Sequence, residues 1–236
     1  MKIGKVGNHC WKEEEEEEEE GYCLSWRMAV EMNNAGPWRR VPERCYRHVE
    51  RYMMDGQYRR DVEMIKEQIL EYVKGIEVRA GGKDGWVMDV DDTCISNLAY
   101  YKDHAFGCEA FDSAQFKQWI TKAQCEAIQP MLLLFRQLLG RGFKVFLITG
   151  RDHARMAHIT SLNLQRQGFI GYHRLLCRGE EHKGESAAKY KSEMRRKIEG
   201  EGYKIWGNVG DQWSDLQGCS AGHRTFKLPN PMYCIP

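Results

Sequence analysis

The chain has 236 residues, 42% of them hydrophobic and 29% charged, which is the composition of a globular protein with a core of its own. Its 35 Lys and Arg nearly balance its 34 Asp and Glu, a formal net charge of +1, so no overall field draws nucleic acid or an anionic membrane to it, and neither is expected as a partner. No apolar run approaches the ~20 residues that a membrane span needs.

The start, MKIGKVGNHCWK, lacks the apolar core of ~7 to 15 residues that marks a signal peptide, so the sequence is read as untargeted and no compartment is assigned. Glu13 to Glu20 form an uninterrupted acidic run that repels itself and buries nothing, and residues 1–21 are expected as a disordered acidic leader. Residues 22–236 read as a single domain. Its first part, 22–80, has a helical pattern: Val62, Ile65, Ile69, Tyr72, Val73 and Ile76 recur at three- and four-residue steps, predicting two or more helices. AGGKDG, from Ala80 to Gly85, is a turn into a short buried strand over residues 86–90. That strand opens the stretch GWVMDVDDTCIS, in which an apolar run breaks directly into Asp89, Asp91, Asp92 and Thr93.

Residues 94–129 alternate aromatics with polar groups and read as a small helical insert, the cap. Pro130 opens a helix with the stripe Met131, Leu134, Phe135 and Leu138, stopped by Gly140 and Gly142. FKVFLI (143–148) is the next strand, followed by a helix from His153 to Gln167; HRLL (173–176) is a third strand, with a helix over 185–199, and YKIWGN (203–208) is the fourth. Alternating strands and helices predict an α/β fold with a parallel sheet and right-handed crossovers.

Three strands end in polar clusters: Asp89, Asp91 and Thr93; Thr149, Gly150 and Arg151; Gly210, Asp211 and Asp215. In a parallel sheet these ends share one edge, where ligands bind. The set offers a nucleophilic carboxylate, a second carboxylate for proton transfer, hydroxyl and backbone donors, and acids for a hard divalent cation, for which Mg2+ is the expected choice. Phosphoryl transfer needs those parts, because its catalysis is mostly in-line positioning and neutralisation of oxygen charge. Any one acid alone also fits a helix cap or Asx turn, Thr149 alone a cap, and Lys191 alone a solvated helix position. Arg151 fits either a phosphate contact or a brace for neighbouring carboxylates.

The order DVDDT, ITGR, a lysine in a helix and GDQWSD resembles the four motifs of the haloacid dehalogenase superfamily. CLSWRMAVEMNN, GQYRRD, GDQWSDLQG and the ending TFKLPNPMYCIP are similar to the plant acid phosphatases and vegetative storage proteins of the class B acid phosphatase group, over everything but the leader. The resemblance implies a Rossmann-like parallel sheet flanked by helices, haloacid dehalogenase-like, with a small helical cap and N-terminal helices. It implies a phosphate monoesterase that passes through an aspartyl-phosphate with Mg2+, acting on small phosphate esters. Asp89 becomes the nucleophile and Asp91 the general acid and base. Thr149 holds a phosphoryl oxygen, and Lys191 pairs with the phosphoryl group and screens the nucleophile. Asp89, Asp91 through its backbone carbonyl, and Asp211 ligate the metal, with Asp215 in support. Lys189 lies ~200° from Lys191 around a helix, so only one can face the site, and a different helix phase gives Lys189 the role.

Storage members of the same family supply the rival reading, a vegetative storage protein with weak or no phosphatase activity, although every motif residue is intact here. Transfer to an alcohol acceptor rather than water would use the same residues. A homodimer is left open, and relatives of this kind are often secreted or vacuolar. Nine cysteines are many for a reducing compartment, none forms a CxxC pair, and a few disulfides beside free buried thiols are expected. The resemblance implies pairing of Cys23 with Cys45 and of Cys108 with Cys125. The histidines form no HxH or HExxH set and there is no RHG sequence, which argues against a histidine-ligated metal or histidine phosphatase chemistry. No N-x-S/T sequon occurs.

Overall fold

The run from Trp86 to Val90 is apolar on both faces, as a central parallel strand covered by helices on both sides must be. In the computed structural model, which describes residues 7–79 and 81–236 and side chains from residue 17 onward, this run is the middle of the sheet. Ala80 of the expected turn and the first six residues of the expected leader lie outside the described residues. The elements run α1 (Gly7–Glu31), α2 (Tyr46–Met54), α3 (Gln57–Lys74), β1 (Asp84–Asp89), β2 (Ile95–Ser96), α4 (Leu98–Asp103), α5 (Ser113–Thr121), β3 (Glu126–Ala127), α6 (Gln129–Gly140), β4 (Lys144–Asp152), α7 (His153–Arg166), β5 (Arg174–Arg178), α8 (Ala187–Gly200), β6 (Lys204–Gly210), α9 (Trp213–Leu216) and β7 (Arg224–Lys227).

Five strands form one parallel sheet in the order β5-β4-β1-β6-β7, and β2 pairs antiparallel with β3 in the cap. Asp89 lies opposite Ile148, and Met88 opposite Val209, so β1, β4 and β6 run out of ladder together, just before Thr149 and Asp211. One face of the sheet packs Trp86, Met88, Val145 and Leu147 against α3 and α6; the other packs Val87, Phe146 and Ile148 against Tyr190, Met194 and Ile198 of α8. Trp86 is fully buried and stacks on Phe226 at 5.9 Å between centroids. A Cβ on the neighbouring Gly207 would stand 2.2 Å from the indole, so only glycine lets that ring lie across β6. A further cluster joins Val49, Tyr52 and Met53 of α2 to Tyr100, Tyr101 and Phe106 of the cap and to Met232 near the end of the chain.

The structure departs from the sequence reading in three places. The glutamate run expected as a disordered leader lies inside α1, with no element boundary at residue 21. Glutamate is a good helix former, so the run carries a helix in spite of its like charges. At its end Glu20 reaches α2, with Oε1 at 2.7 Å from His48 Nδ1 and Oε2 accepting from Arg51 Nη2 at 2.6 Å. The disulfide Cys23–Cys45 is present, but Cys108 and Cys125 are both free, because Cys108 packs in the α2–cap cluster while Cys125 faces Asn97 in the site wall. Finally, the edge strand β7, too short and polar to stand out, was not expected.

Cys23–Cys45 closes a loop with a sequence separation of 22, for which the chain-entropy relation gives about 3 kcal/mol. The double substitution Cys23→Ala/Cys45→Ala is therefore expected to lose about that much stability. It would appear in urea unfolding as a lower midpoint; an unchanged midpoint would show that α1 is not held by the bridge.

Candidate active site

The turn after β1 is tied before any site residue acts. Cys94 N and Ile95 N both donate to Val90 O, at 2.9 and 3.0 Å, and Asp92 N donates to Ile95 O at 2.7 Å. Asp92 sits at φ 53, a left-handed conformation that aspartate tolerates better than most residues. Its carboxylate is the anchor of the turn, accepting from Asn97 N at 2.8 Å and from the Tyr233 hydroxyl at 2.8 Å. Burial first, then the charge of Asp211, pushes Asp92 up to about 7.

With the turn so held, Asp89, Asp211 and Asp215 converge, each offering a carboxylate oxygen within 4.8 Å of the other two. All three are buried, and among the described residues the one cation paired with their carboxylates is Lys191, whose Nζ bridges Asp89 Oδ1 and Asp215 Oδ1. Burial, with the like charge of Asp215, drives Asp89 well above the usual carboxylate range in spite of Lys191. The same two causes raise Asp211 to about 6. Burial alone would lower Lys191, but Asp215 and Asp89 outweigh it and hold the ammonium firmly charged. One lysine against three acids leaves negative charge unmatched, and the free donors are hard carboxylate oxygens; a small divalent cation such as Mg2+ fits that set.

Asp91 belongs to a different arrangement. Arg151 grips it with Nη2 at 2.6 Å and Nε at 3.0 Å, Asn97 Nδ2 donates at 2.9 Å, and the Thr149 hydroxyl lies 3.4 Å from Oδ2. Burial pulls the Asp91 carboxyl upward, yet the Arg151 charge and these hydrogen bonds prevail and hold it below the ordinary range. Arg151 is therefore a brace for the carboxylate. Asp211 is held by Asn230 Nδ2 and Gln212 Nε2, each at 2.7 Å, and exchanges hydrogen bonds with Thr93. A Cβ at Gly210 would fall 2.3 Å from the Asp215 carboxylate, so glycine there lets the acid lie against the backbone.

The structure thus brings all six expected residues to one edge of the sheet. Asp89, Asp91, Lys191 and Asp215 line a cavity of about 710 Å3 together with Phe116 and Met156 of the cap and α7; Thr149 and Asp211 stand behind its wall. Lys189 points elsewhere, exposed and paired with Glu185, which settles the helix phase in favour of Lys191. Sequence reasoning missed Asn97, Gln212, Asn230 and Tyr233. Each is a lone polar residue in a loop, and Asn230 and Tyr233 sit in the ending TFKLPNPMYCIP, which was read only for its likeness.

The profile of the HAD superfamily, subfamily IIIB (acid phosphatase), matches residues 8–236. Acid phosphatase 1 of Solanum lycopersicum is 44% identical over 213 residues, covering 90% of this chain and 83% of its own. The stem 28 kDa glycoprotein of Glycine max is 37% identical over 90% of this chain and 84% of its own, and vegetative storage protein 1 of Arabidopsis thaliana is 32% identical over 91% and 79%. Among solved structures, the class C acid phosphatase of Bacillus anthracis shares the fold at a TM-score of 0.63 and 20% identity, over 79% of this chain and 83% of that one.

Two outcomes follow from the charge arrangement. Lys191→Met strands the buried acids without a cation and is expected to cost about 3–5 kcal/mol in metal-free protein, with Mg2+ restoring part of the melting temperature. Failure of Mg2+ to protect that variant would count against the acids as a cation site. Arg151→Met is expected to raise the Asp91 pKa, seen as a carboxyl carbon resonance titrating at higher pH. A depressed carboxylate stabilises the fold above its unfolded pKa and loses that contribution as pH falls through the folded value. The variant should lack this contribution, and an unmoved resonance would refute the brace.

Proposed function

The chain belongs to subfamily IIIB of the HAD superfamily, the acid phosphatases, and on that premise we propose that it hydrolyses small phosphate monoesters through an aspartyl-phosphate formed on Asp89. The observation that carries this reading is the separation of two carboxylates into two environments within one cavity. Asp89 lies among acids and Lys191, while Asp91 is gripped by Arg151 and Asn97.

In the proposed sequence, a carboxylate oxygen of Asp89 attacks phosphorus and the ester P–O bond breaks, while Asp91 gives its proton to the departing alkoxide. Asp91 then takes a proton from water, whose oxygen attacks the phosphoryl group, freeing phosphate and Asp89. Arg151 keeps Asp91 ionised in the free protein, so acid conditions favour the protonated form that the first half needs. Lys191 offers its charge to the phosphoryl oxygens beside the nucleophile, and Thr149 adds a hydroxyl from behind Asp91. Asp89, the backbone carbonyl of Asp91 and Asp211 would hold Mg2+, with Asp215 fixing Lys191 and the end of β6. The chemistry Mg2+ supplies when bound is neutralisation of anionic oxygen, which lets carboxylate and phosphate approach each other.

Relatives named as vegetative storage proteins keep the storage reading in play, and intact Asp89 and Asp91 weigh against it. Purified protein is expected to release phosphate from 4-nitrophenyl phosphate in Mg2+, to lose turnover in EDTA, and to lose at least about a thousandfold in kcat on Asp89→Asn. Folded protein with no turnover from acid to neutral pH would overturn the proposal and leave storage as the function.

A further inference from the structure

Beside the catalytic cavity lies a smaller recess of about 210 Å3 that shares Lys117, Asp152 and Arg178 with it and adds Arg155 and Lys183 of its own. Two acids reach this recess, and both are engaged. The Asp152 carboxylate caps α7 by accepting from Arg155 N at 2.8 Å, and Glu180 lies 3.7 Å from Lys183. Lys117, Arg155 and Arg178 form no ion pair with a carboxylate among the described residues.

Arg178 is the most telling of the three. Its guanidinium lies 5.0 Å from the Tyr190 ring centroid, a packing surface that sets its plane, and Nη1 reaches only the Glu185 carbonyl at 3.3 Å. Its Nε has no hydrogen-bond partner in the protein, but that atom is covered and does not open on the recess, so the terminal nitrogens are what the guanidinium can offer a ligand. The first turn of α7, a helix of 14 residues, brings the positive end of its dipole to the same wall. Three cations without a carboxylate partner, gathered in one recess beside a helix N-terminus, together call for an anion with several acceptor oxygens.

We propose that this recess is a second anion subsite, which holds the distal phosphate of a substrate carrying two phosphate groups on a short linker while the proximal one is hydrolysed. The inference rests on the phosphomonoesterase reading and names a substrate class for the same site. Lys117 and Arg178, on the wall common to both spaces, face the junction between the two phosphates. Phe116, Ile120 and Met156 of the catalytic cavity offer apolar cover to the linker.

The test compares kcat/KM for monophosphates and bisphosphates of short α,ω-alkanediols in excess Mg2+, for wild type and for Arg155→Glu/Lys183→Glu. Both substituted residues are exposed and line only the recess. Wild type is expected to favour the bisphosphate by ~10-fold or more beyond the statistical factor, the scale of one charge-assisted contact. The double variant should retain monophosphate turnover and lose that preference. Titration calorimetry with propylphosphonate and propane-1,3-diyl bisphosphonate reads the same preference without turnover. Turnover of both esters with no preference, or a preference that survives the double substitution, overturns the subsite and leaves the phosphatase reading standing. Absence of turnover with either ester sinks the phosphatase reading, and the calorimetric preference, or its loss, then decides the subsite by itself.

Discussion

The structure turns on a shortage of positive charge. Three buried carboxylates, Asp89, Asp211 and Asp215, share one lysine, and Lys191 spans only two of them. Such an arrangement is costly in a low-dielectric interior unless it is needed, because each unpaired charge keeps its desolvation penalty. The protein holds the acids together by force of framework. β1 and β6 end side by side, Gly210 removes the Cβ that would push Asp215 away, and Asn208 Nδ2 and Arg195 Nη1 tie down the Asp215 backbone carbonyl at 2.9 and 2.6 Å. Strain of this kind gathers where a ligand is to relieve it.

The two aspartates of the DVDDT turn show how two positions in sequence can separate two chemical environments. Asp89 still lies in the ladder of β1, facing Asp211 just after β6, Asp215 of α9 and the lysine of α8. Asp91 has already turned toward β4, where Arg151 waits, itself held through Nη1 to Thr160. Burial and the acids around Asp89 drive its carboxyl up while Arg151 draws Asp91 down, so the two environments differ. The proposed roles need Asp89 ionised and Asp91 protonated, which positive charge among the acids and low pH respectively favour. The cap takes part in this division. The Trp119 indole donates to Asn97 Oδ1 at 3.2 Å, and Asn97 donates to Asp91, so the helix that carries Trp119 is connected to the proposed proton-transfer group by two hydrogen bonds.

Most of this was legible from sequence for one reason: a parallel sheet aligns the carboxyl ends of its strands, so polar clusters far apart in the chain must meet. The choice of Lys191 over Lys189 follows from helix phase, since Tyr190, Lys191, Met194 and Ile198 form the buried face of α8. What stayed hidden is of two kinds. Contacts such as Asn230 to Asp211 and Tyr233 to Asp92 join irregular segments, where no periodicity fixes which way a side chain points. The glutamate run is a second case: composition argues against burial, but it does not show that the run continues as helix into Glu20, whose carboxylate meets His48 and Arg51 of α2.

The N-terminal helices and the end of the chain are best understood as one clamp on the acid cluster. Glu31, the last residue of α1, accepts from Lys227 Nζ at 2.8 Å and from Asn230 N at 2.9 Å, while its carbonyl accepts from the Trp213 indole at 3.1 Å. Asn230 then fixes Asp211, and two residues later the chain presses Met232 O so near Gly107 that a Cβ there would lie at 1.9 Å. Tyr233 stacks on Tyr101 of the cap at 4.9 Å and reaches Asp92, and Ile235 N closes on Gln212 Oε1 at 2.9 Å. A single glutamate therefore joins the first helix to the segment that orients one of the three acids. With Cys23–Cys45 fastening the same helix to the chain just before α2, displacement of α1 would be felt at Asp211, although among the described residues none of that helix lines the candidate cavity.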